Sequence, residues 1–175
     1  MILQERACLA DIANALELKK AVEIGTHQAF FAYEFMQRFR GTISLVDPWE
    51  IEEEFHPFFE KTSSRNQDLE IAKQKMSEFG SRVSFHRMTG TEFSKSVENE
   101  SVDIVYIDGL HDHSSAQKDI SDWYPKVKYG GIICGHDYNG EYPGVILAVD
   151  ELRRRSGFEM HLTREYMSSW WMLKR

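Results

Sequence analysis

Residues 21–26 read Ala21-Val22-Glu23-Ile24-Gly25-Thr26, a short, mostly apolar run that halts at a glycine and is too brief for a buried helix. It fits a buried β-strand ending in a turn. Downstream, Ala29, Ala32, Tyr33 and Met36 make one helical stripe while Phe31, Phe35 and Phe39 make a second, which predicts a helix over 28–39 that Gly41 ends. Upstream, Leu9, Ile12, Ala13 and Leu16 recur at i, i+3, i+4 and i+7, so a helix also precedes the strand. The alternation then continues along the chain. Residues 42–46 are rich in β-formers and stop at Asp47-Pro48, where proline cannot donate to a ladder. Leu69, Ala72, Met76 and Phe79 predict a helix closed by Gly80, and 83–88 a third strand. A fourth strand, 104–107, ends at Asp108-Gly109, and Ala116, Ile120 and Trp123 mark the next helix. Lys128-Tyr129-Gly130-Gly131 reads as a turn before a fifth strand, 132–135, which stops at His136-Asp137. Val145, Ala148, Val149 and Leu152 predict another helix, and 158–162 and 167–173 two closing strands.

Strands alternating with helices imply a doubly wound α/β domain: a mostly parallel, seven-stranded, Rossmann-like sheet covered by helices on both faces. At 175 residues the chain is read as one domain, 1–175. The exception to the pattern is 50–60, where Ile51, Phe55, Phe58 and Phe59 surround Pro57 among acids, a loop or broken helix whose aromatics need covering. With 21 Lys and Arg against 28 Asp and Glu, the formal charge of −7 argues against a nucleic-acid partner, which would require clustered cations. No apolar run reaches the length of a membrane helix and the start lacks the layout of a signal peptide, so the expectation is a cytoplasmic protein with no membrane partner. Cys8 and Cys134 lie far apart without metal-ligand spacing and read as free thiols.

Open parallel sheets bind ligands outside the carboxyl ends of their strands. Those ends here carry Glu23/Gly25, Asp47, Arg87/Thr89, Asp108 and His136/Asp137, which places the chemistry along one rim. Gly25 lets backbone approach a ligand without a Cβ, and Asp47, on the next strand, suits a ribose hydroxyl pair. A dinucleotide fingerprint would need further glycines where the chain has His27 and its neighbours. S-adenosylmethionine carries a carboxylate, an ammonium and a ribose diol in place of a pyrophosphate, and fits one glycine with several acids better.

The segments EIGTHQAFFA (23–32), LVDPW (45–49), VDIVYIDGLHDH (102–113), DISDWYPKVKYGGIICGHDY (119–138) and PGVILAVDE (143–151) together resemble class I S-adenosylmethionine-dependent methyltransferases. The likeness is to the small subgroup that includes macrolide-sugar O-methyltransferases and cephalosporin-hydroxylase-like proteins, and it runs from about residue 20 to 152. It implies that Glu23, Gly25 and Thr26 form the first cofactor motif, that Asp47 holds the ribose, that Thr89 and Gly90 lie by the adenine, and that Asp108 is the acid closing the fourth strand. Two positions depart from the pattern: Ala29 replaces a customary glycine, and His113 stands where an aromatic is usual.

Asp108, His136 and Asp137 end adjacent strands and form a candidate divalent-cation set, with magnesium or manganese the expected ions. The alternative is a hydrogen-bonded rim histidine with Asp137 as a helix cap. His111 is the candidate base beside Asp108, with His136 as a second, and Tyr138, Asn139 and Tyr142 are candidate contacts to a small-molecule acceptor. The leading expectation is methyl transfer to an acceptor oxygen. A hydroxylase-like activity and a non-catalytic binding role are the alternatives. With little chain left for a lid, a second subunit could complete the rim, so a homo-oligomer is a further expectation. Trp170 and Trp171 should alternate, one in the core and one at a surface or interface. The run Arg153-Arg154-Arg155 reads as a solvated helix face and Cys134 as an inert core residue.

Overall fold

The computed structural model describes residues 3–49 and 65–175, so the aromatic segment 50–60 lies outside the described residues. The strands are β1 (Lys20–Ile24), β2 (Thr42–Val46), β3 (Val83–His86), β4 (Val102–Ile107), β5 (Val127–Gly135), β6 (Met160–Leu162) and β7 (Trp170–Leu173). The helices are α1 (Leu9–Ala15), α2 (Phe30–Met36), α3 (Arg65–Met76), α4 (Gly90–Ser94), α5 (His113–Trp123) and α6 (Pro143–Ser156). All seven strands make one sheet in the order β3-β2-β1-β4-β5-β7-β6. The first five are mutually parallel, whereas β7 runs antiparallel to both β5 and β6.

Side-chain alternation divides the core into two layers. Ala21, Ile43, Leu45, Ile104, Tyr106, Ile132 and Cys134 face α1, α2 and α3, where Phe31, Phe35 and Phe39 are buried. Val22, Ile24, Val46, Val105, Ile107 and Ile133 face α5 and α6 through Ile120, Trp123, Val145, Val149 and Leu152. The expected α/β class with both faces covered is the observed one.

Several local expectations are corrected. The helix predicted over 28–39 begins only at Phe30, because Ala29 is left-handed at φ +57° and belongs to the preceding turn. The turn predicted at 128–131 is part of β5: Gly130, at φ +78°, and the register shift between Val102 and Ile104 absorb an irregularity without ending the strand. Strand β3 stops at His86, where Met88 N–H bonds back to His86 O, and the sequence reading missed α4. Both tryptophans are core, Trp170 at 1% exposure and Trp171 at 6%. Since β7 is an interior strand, layers cover both of its faces, and neither ring is left for a surface.

Candidate functional site

The carboxyl edge of β1, β2, β4 and β5 brings most of the expected residues to one rim. Its centre is the β1–α2 turn, where Gly25 sits at φ +85° and donates to Val46 O at 2.9 Å. A Cβ at this position would lie 1.9 Å from the Asp108 carbonyl oxygen, so the glycine is required by close approach of two strand ends. Glu23 is 2% exposed and among the described residues its Oε2 lacks a hydrogen-bond partner, while Thr26 Oγ1 is likewise buried, with no partner beyond the Glu23 carboxyl beside it. Burial pushes the Glu23 carboxyl well above its ordinary range. Buried polar atoms without partners are rare, and two side by side at the end of β1 fit a site that a polar ligand completes.

Asp47 fastens the same turn. Its Oδ2 accepts His27 N–H at 2.9 Å and its Oδ1 accepts Trp49 N–H at 2.7 Å, while Trp49 Nε1–H donates to His27 O at 2.9 Å. From α3, Asp68 accepts Gln28 Nε2–H at 2.7 Å and stands 3.4 Å from His27 Nε2. The roles of His27, Trp49 and Asp68 were missed in the sequence, where only the left-handed demand on a non-glycine turn could have flagged them. Thr89 is engaged at the start of α4: it accepts Glu92 N–H at 3.2 Å, while Glu92 Oε2 accepts from Thr89 N–H at 2.9 Å and from the Thr89 hydroxyl at 2.8 Å. Gly90 is buried against Ile24 and Trp123, and the Asp119 carboxylate lies near both Gly90 and Gly109.

At the β4–β5 end, Asp108, His111 and Asp137 each present a ligand atom within 4.8 Å of the others. His111 Nε2 is 2.9 Å from Asp137 Oδ2, and His136 Nδ1 is 3.1 Å from Asp137 Oδ1 and 3.7 Å from Asp108 Oδ1. Burial raises Asp108 to about 6, opposed by His136. Burial also acts on Asp137, but hydrogen bonds from His111 and His136 outweigh it and hold that carboxyl far below its ordinary range. The same contacts, with Asp108, overcome burial to raise His136. Asp137 is at φ +60° and does not cap α6, whose N-cap is Tyr142. The helix-cap reading of Asp137 is therefore not the observed one.

The loop residues divide. Tyr142 packs on His111 with ring centroids 4.3 Å apart, whereas Tyr138 donates to Asp150 at 3.0 Å and Asn139 Nδ2 contacts Met167 Sδ at 3.3 Å. His113 lies away from the rim, 3.3 Å from Glu151 between α5 and α6. Arg6, absent from the sequence reading, points at the rim from the N-terminal segment, 3.8 Å from Asp108 Oδ2.

A family model described as a methyltransferase domain matches residues 22–138, which hold the strand-end residues of this rim but not Arg6 or Tyr142. The chain belongs to that methyltransferase family. The methyltransferase domain is 28% identical over 134 residues to the uncharacterized protein y4gI of Sinorhizobium fredii, an alignment covering 72% of this chain and 14% of that protein. The chain thus spans about a seventh of the length of the curated relative it matches. Cofactor-bound Rv0187 from MTB superposes with TM-score 0.72 at 14% identity, covering 97% of this chain and 78% of that one. The O-methyltransferase NovP gives TM-score 0.64 at 17% identity, covering 97% and 78%. These two likenesses show a shared fold. Among the described residues no helix is long and apolar enough to cross a membrane.

Proposed function

We propose that the domain transfers the methyl group of S-adenosylmethionine to an oxygen of a small-molecule acceptor. The observation that carries this reading is the rim itself: Glu23 and Thr26, buried at the Gly25 turn with no outside partner for Glu23 Oε2 or Thr26 Oγ1 among the described residues, lie on the same edge as the His111–Asp137 pair beside Asp108. Glu23 and Asp108 meet the donor's ammonium end, Asp47 its ribose diol, and Thr89 and Gly90 flank its adenine. Asp47 already accepts two backbone N–H groups, and each oxygen retains a second lone pair for a hydroxyl. The match to a methyltransferase domain supports the donor, and likeness to an O-methyltransferase supports the acceptor atom.

The sulfonium supplies an already activated methyl group, so the chain's task is alignment and removal of one proton. Asp137, held ionised, stands 2.9 Å from His111 Nε2 and orients that ring at the rim. The rim imidazole, His111 or His136, takes the acceptor's hydroxyl proton as the oxygen bonds to the methyl carbon, while the C–S electron pair stays on the departing thioether. Tyr142, packed on His111, borders the acceptor, with Tyr138 and Asn139 farther out on the same loop.

Two carboxylates and an imidazole in one cluster also suit a divalent cation, magnesium or manganese, and the donors that fit are Asp108, His111 and Asp137, with His136 against both carboxylates. A bound cation would supply a Lewis acid that lowers the pKa of an acceptor hydroxyl. His136 would then be the imidazole left for the proton.

Calorimetric titration with S-adenosylhomocysteine, with and without Mg²⁺ or Mn²⁺, tests the cofactor, and transfer of labelled methyl groups to hydroxylated acceptors tests the chemistry. Saturable binding with label appearing in an ether or ester supports the reading. No binding of the thioether product under any condition overturns it.

A further inference from the structure

The N-terminal segment is fastened to the far side of the sheet. Leu3 forms a parallel bridge with Thr163, and Arg164 N–H donates to Leu3 O at 3.0 Å. Arg6 N–H donates to Glu165 Oε1 at 3.1 Å, and that same oxygen accepts Thr163 Oγ1–H at 3.0 Å and Ser169 Oγ–H at 3.1 Å. Ser169 in turn is 3.0 Å from the hydroxyl of Tyr106 on β4. One half-buried network thus sets the backbone of Arg6 against the strand that leads to Asp108.

The Arg6 side chain uses this anchorage to reach the rim. Its guanidinium carbon lies 5.7 Å from the centroid of Phe31, whose ring stacks at 3.7 Å on Tyr106. Aromatic rings wall the guanidinium while the Asp108 carboxylate faces it at 3.8 Å, with the charges of Glu165 and Glu23 also felt there. A separation of 3.8 Å is beyond hydrogen-bond length, so this pair does not saturate the five donors of the guanidinium. With the Tyr106 hydroxyl as its other side-chain partner the guanidinium still has donors to spare, and a largely desolvated cation held by one long ion pair is a poor device for stability, because its burial is costly and the return is small.

We propose that Arg6 receives the carboxylate of the methyl donor's amino-acid end. The assignment rests on the cofactor reading above and adds a residue to it. An α-amino acid carries its ammonium and its carboxylate on the same carbon, so a site for both must set an acid and a cation side by side. Asp108 and Arg6 are such neighbours, and Glu23, whose Oε2 has no partner among the described residues, lies beside them for the ammonium. The planar fork matches a carboxylate in two parallel hydrogen bonds, which a lysine could not copy fully. The Glu165 network makes the cation ready before the ligand arrives.

The test compares two ligands that differ by this end alone: S-adenosylhomocysteine and 5′-methylthioadenosine, which keeps the nucleoside and the sulfur and lacks the amino acid. In calorimetric titrations, Arg6→Ala weakens S-adenosylhomocysteine by about tenfold or more, the scale of a charge-assisted hydrogen bond, and leaves 5′-methylthioadenosine unchanged. Arg6→Lys falls between the two. Decarboxylated S-adenosylhomocysteine, which retains the ammonium, binds wild type and Arg6→Ala alike. Equal loss for both ligands in Arg6→Ala would show that Arg6 only props up the pocket wall and would overturn the assignment, as would undiminished S-adenosylhomocysteine affinity. Wild-type protein that binds neither nucleoside refutes the cofactor reading itself, and the Arg6 assignment with it.

Discussion

Replacing Gly25 by alanine imposes two separable costs. The first is conformational: φ is +85°, and a side chain in left-handed backbone costs roughly 1–2 kcal/mol. The second is steric. The new Cβ would sit 1.9 Å from the Asp108 carbonyl oxygen, 2.5 Å from its carbon and 2.9 Å from Gly109 Cα, where ordinary contact begins at 3.4 Å. The ends of β1 and β4 must therefore part by about 1.5 Å, the gap between 1.9 and 3.4 Å. Parting strains the bonds that join them to each other and to β2, Asp108 N–H to Ile24 O at 2.8 Å and Gly25 N–H to Val46 O at 2.9 Å. At about 1 kcal/mol net for each bond, the whole substitution costs about 3–4 kcal/mol. Gly130 supplies the control, because its φ is +78° and among the described residues nothing lies within 4 Å of its Cβ position. Alanine there meets the conformational cost alone. Urea denaturation of both variants should show Gly25→Ala about 2 kcal/mol less stable than Gly130→Ala at similar m-values. Equal losses would mean that the strand ends yield freely, and the rigid cradle inferred at Gly25 would be wrong.

Three other outcomes are expected. Asp47→Asn loses one of the two backbone acceptors that tie His27 and Trp49, costs about 1–2 kcal/mol, and abolishes most of the rise in melting temperature given by S-adenosylhomocysteine; an undiminished rise removes Asp47 from the ribose. His111→Ala lowers bound Mn²⁺, read by metal analysis after dialysis, more than His136→Ala does, because His111 belongs to the set within 4.8 Å; equal metal in wild type and both variants ends the cation reading. Asp119 is raised to about 7, by burial first and the Asp122 charge second, so its contribution to stability is fully present below the ordinary carboxyl pKa of 3.8 and is lost as pH rises through 7. Asp119→Asn should accordingly stabilise the fold by about 2 kcal/mol at pH 8 and change little at pH 4, and the same gain by urea denaturation at both values would refute the linkage.

What the chain order discloses is the alternation of strands and helices, since 2.0 and 3.6 periodicities are local properties that the core preserves. Features set by contact across the sheet stay hidden. Helix α2 starts late because Ala29 takes a left-handed backbone that no composition rule assigns to alanine. Lys128-Tyr129-Gly130-Gly131 has the residues of a turn and falls where the β4 register shifts, yet the extension of β7 keeps it in the sheet, with Gly130 N–H bonded to Lys174 O at 2.7 Å and Lys174 N–H to Gly131 O at 2.9 Å. Burial of Trp170 and Trp171 together follows from the interior place of β7, a fact of strand order and not of strand pattern.

The same distinction explains which part of the candidate site can be read from sequence. In β1, β4 and β5 the buried residues Ala21, Tyr106 and Cys134 all face the α1–α3 layer. Two residues further on, alternation brings Glu23, Asp108 and His136 to that same side. Asp108 N–H to Ile24 O at 2.8 Å and His136 N–H to Ile107 O at 3.0 Å carry the pairing just beyond the strand ends, so the parity holds there too. Strand-end counting finds these three groups and also gives their side of the sheet, because they obey the alternation; it finds Asp137 too, but not where that side chain points. Asp137 breaks the alternation with its φ of +60° and turns back to meet His111, which arrives on the connection between β4 and α5. Arg6 belongs to no strand at all and reaches the rim only because Glu165, more than a hundred residues away in sequence, accepts its backbone N–H. The strand-end groups, and His111 as the loop neighbour of Asp108, are therefore legible in the chain, whereas the pairing of His111 with Asp137 and the approach of the guanidinium are supplied by tertiary contacts.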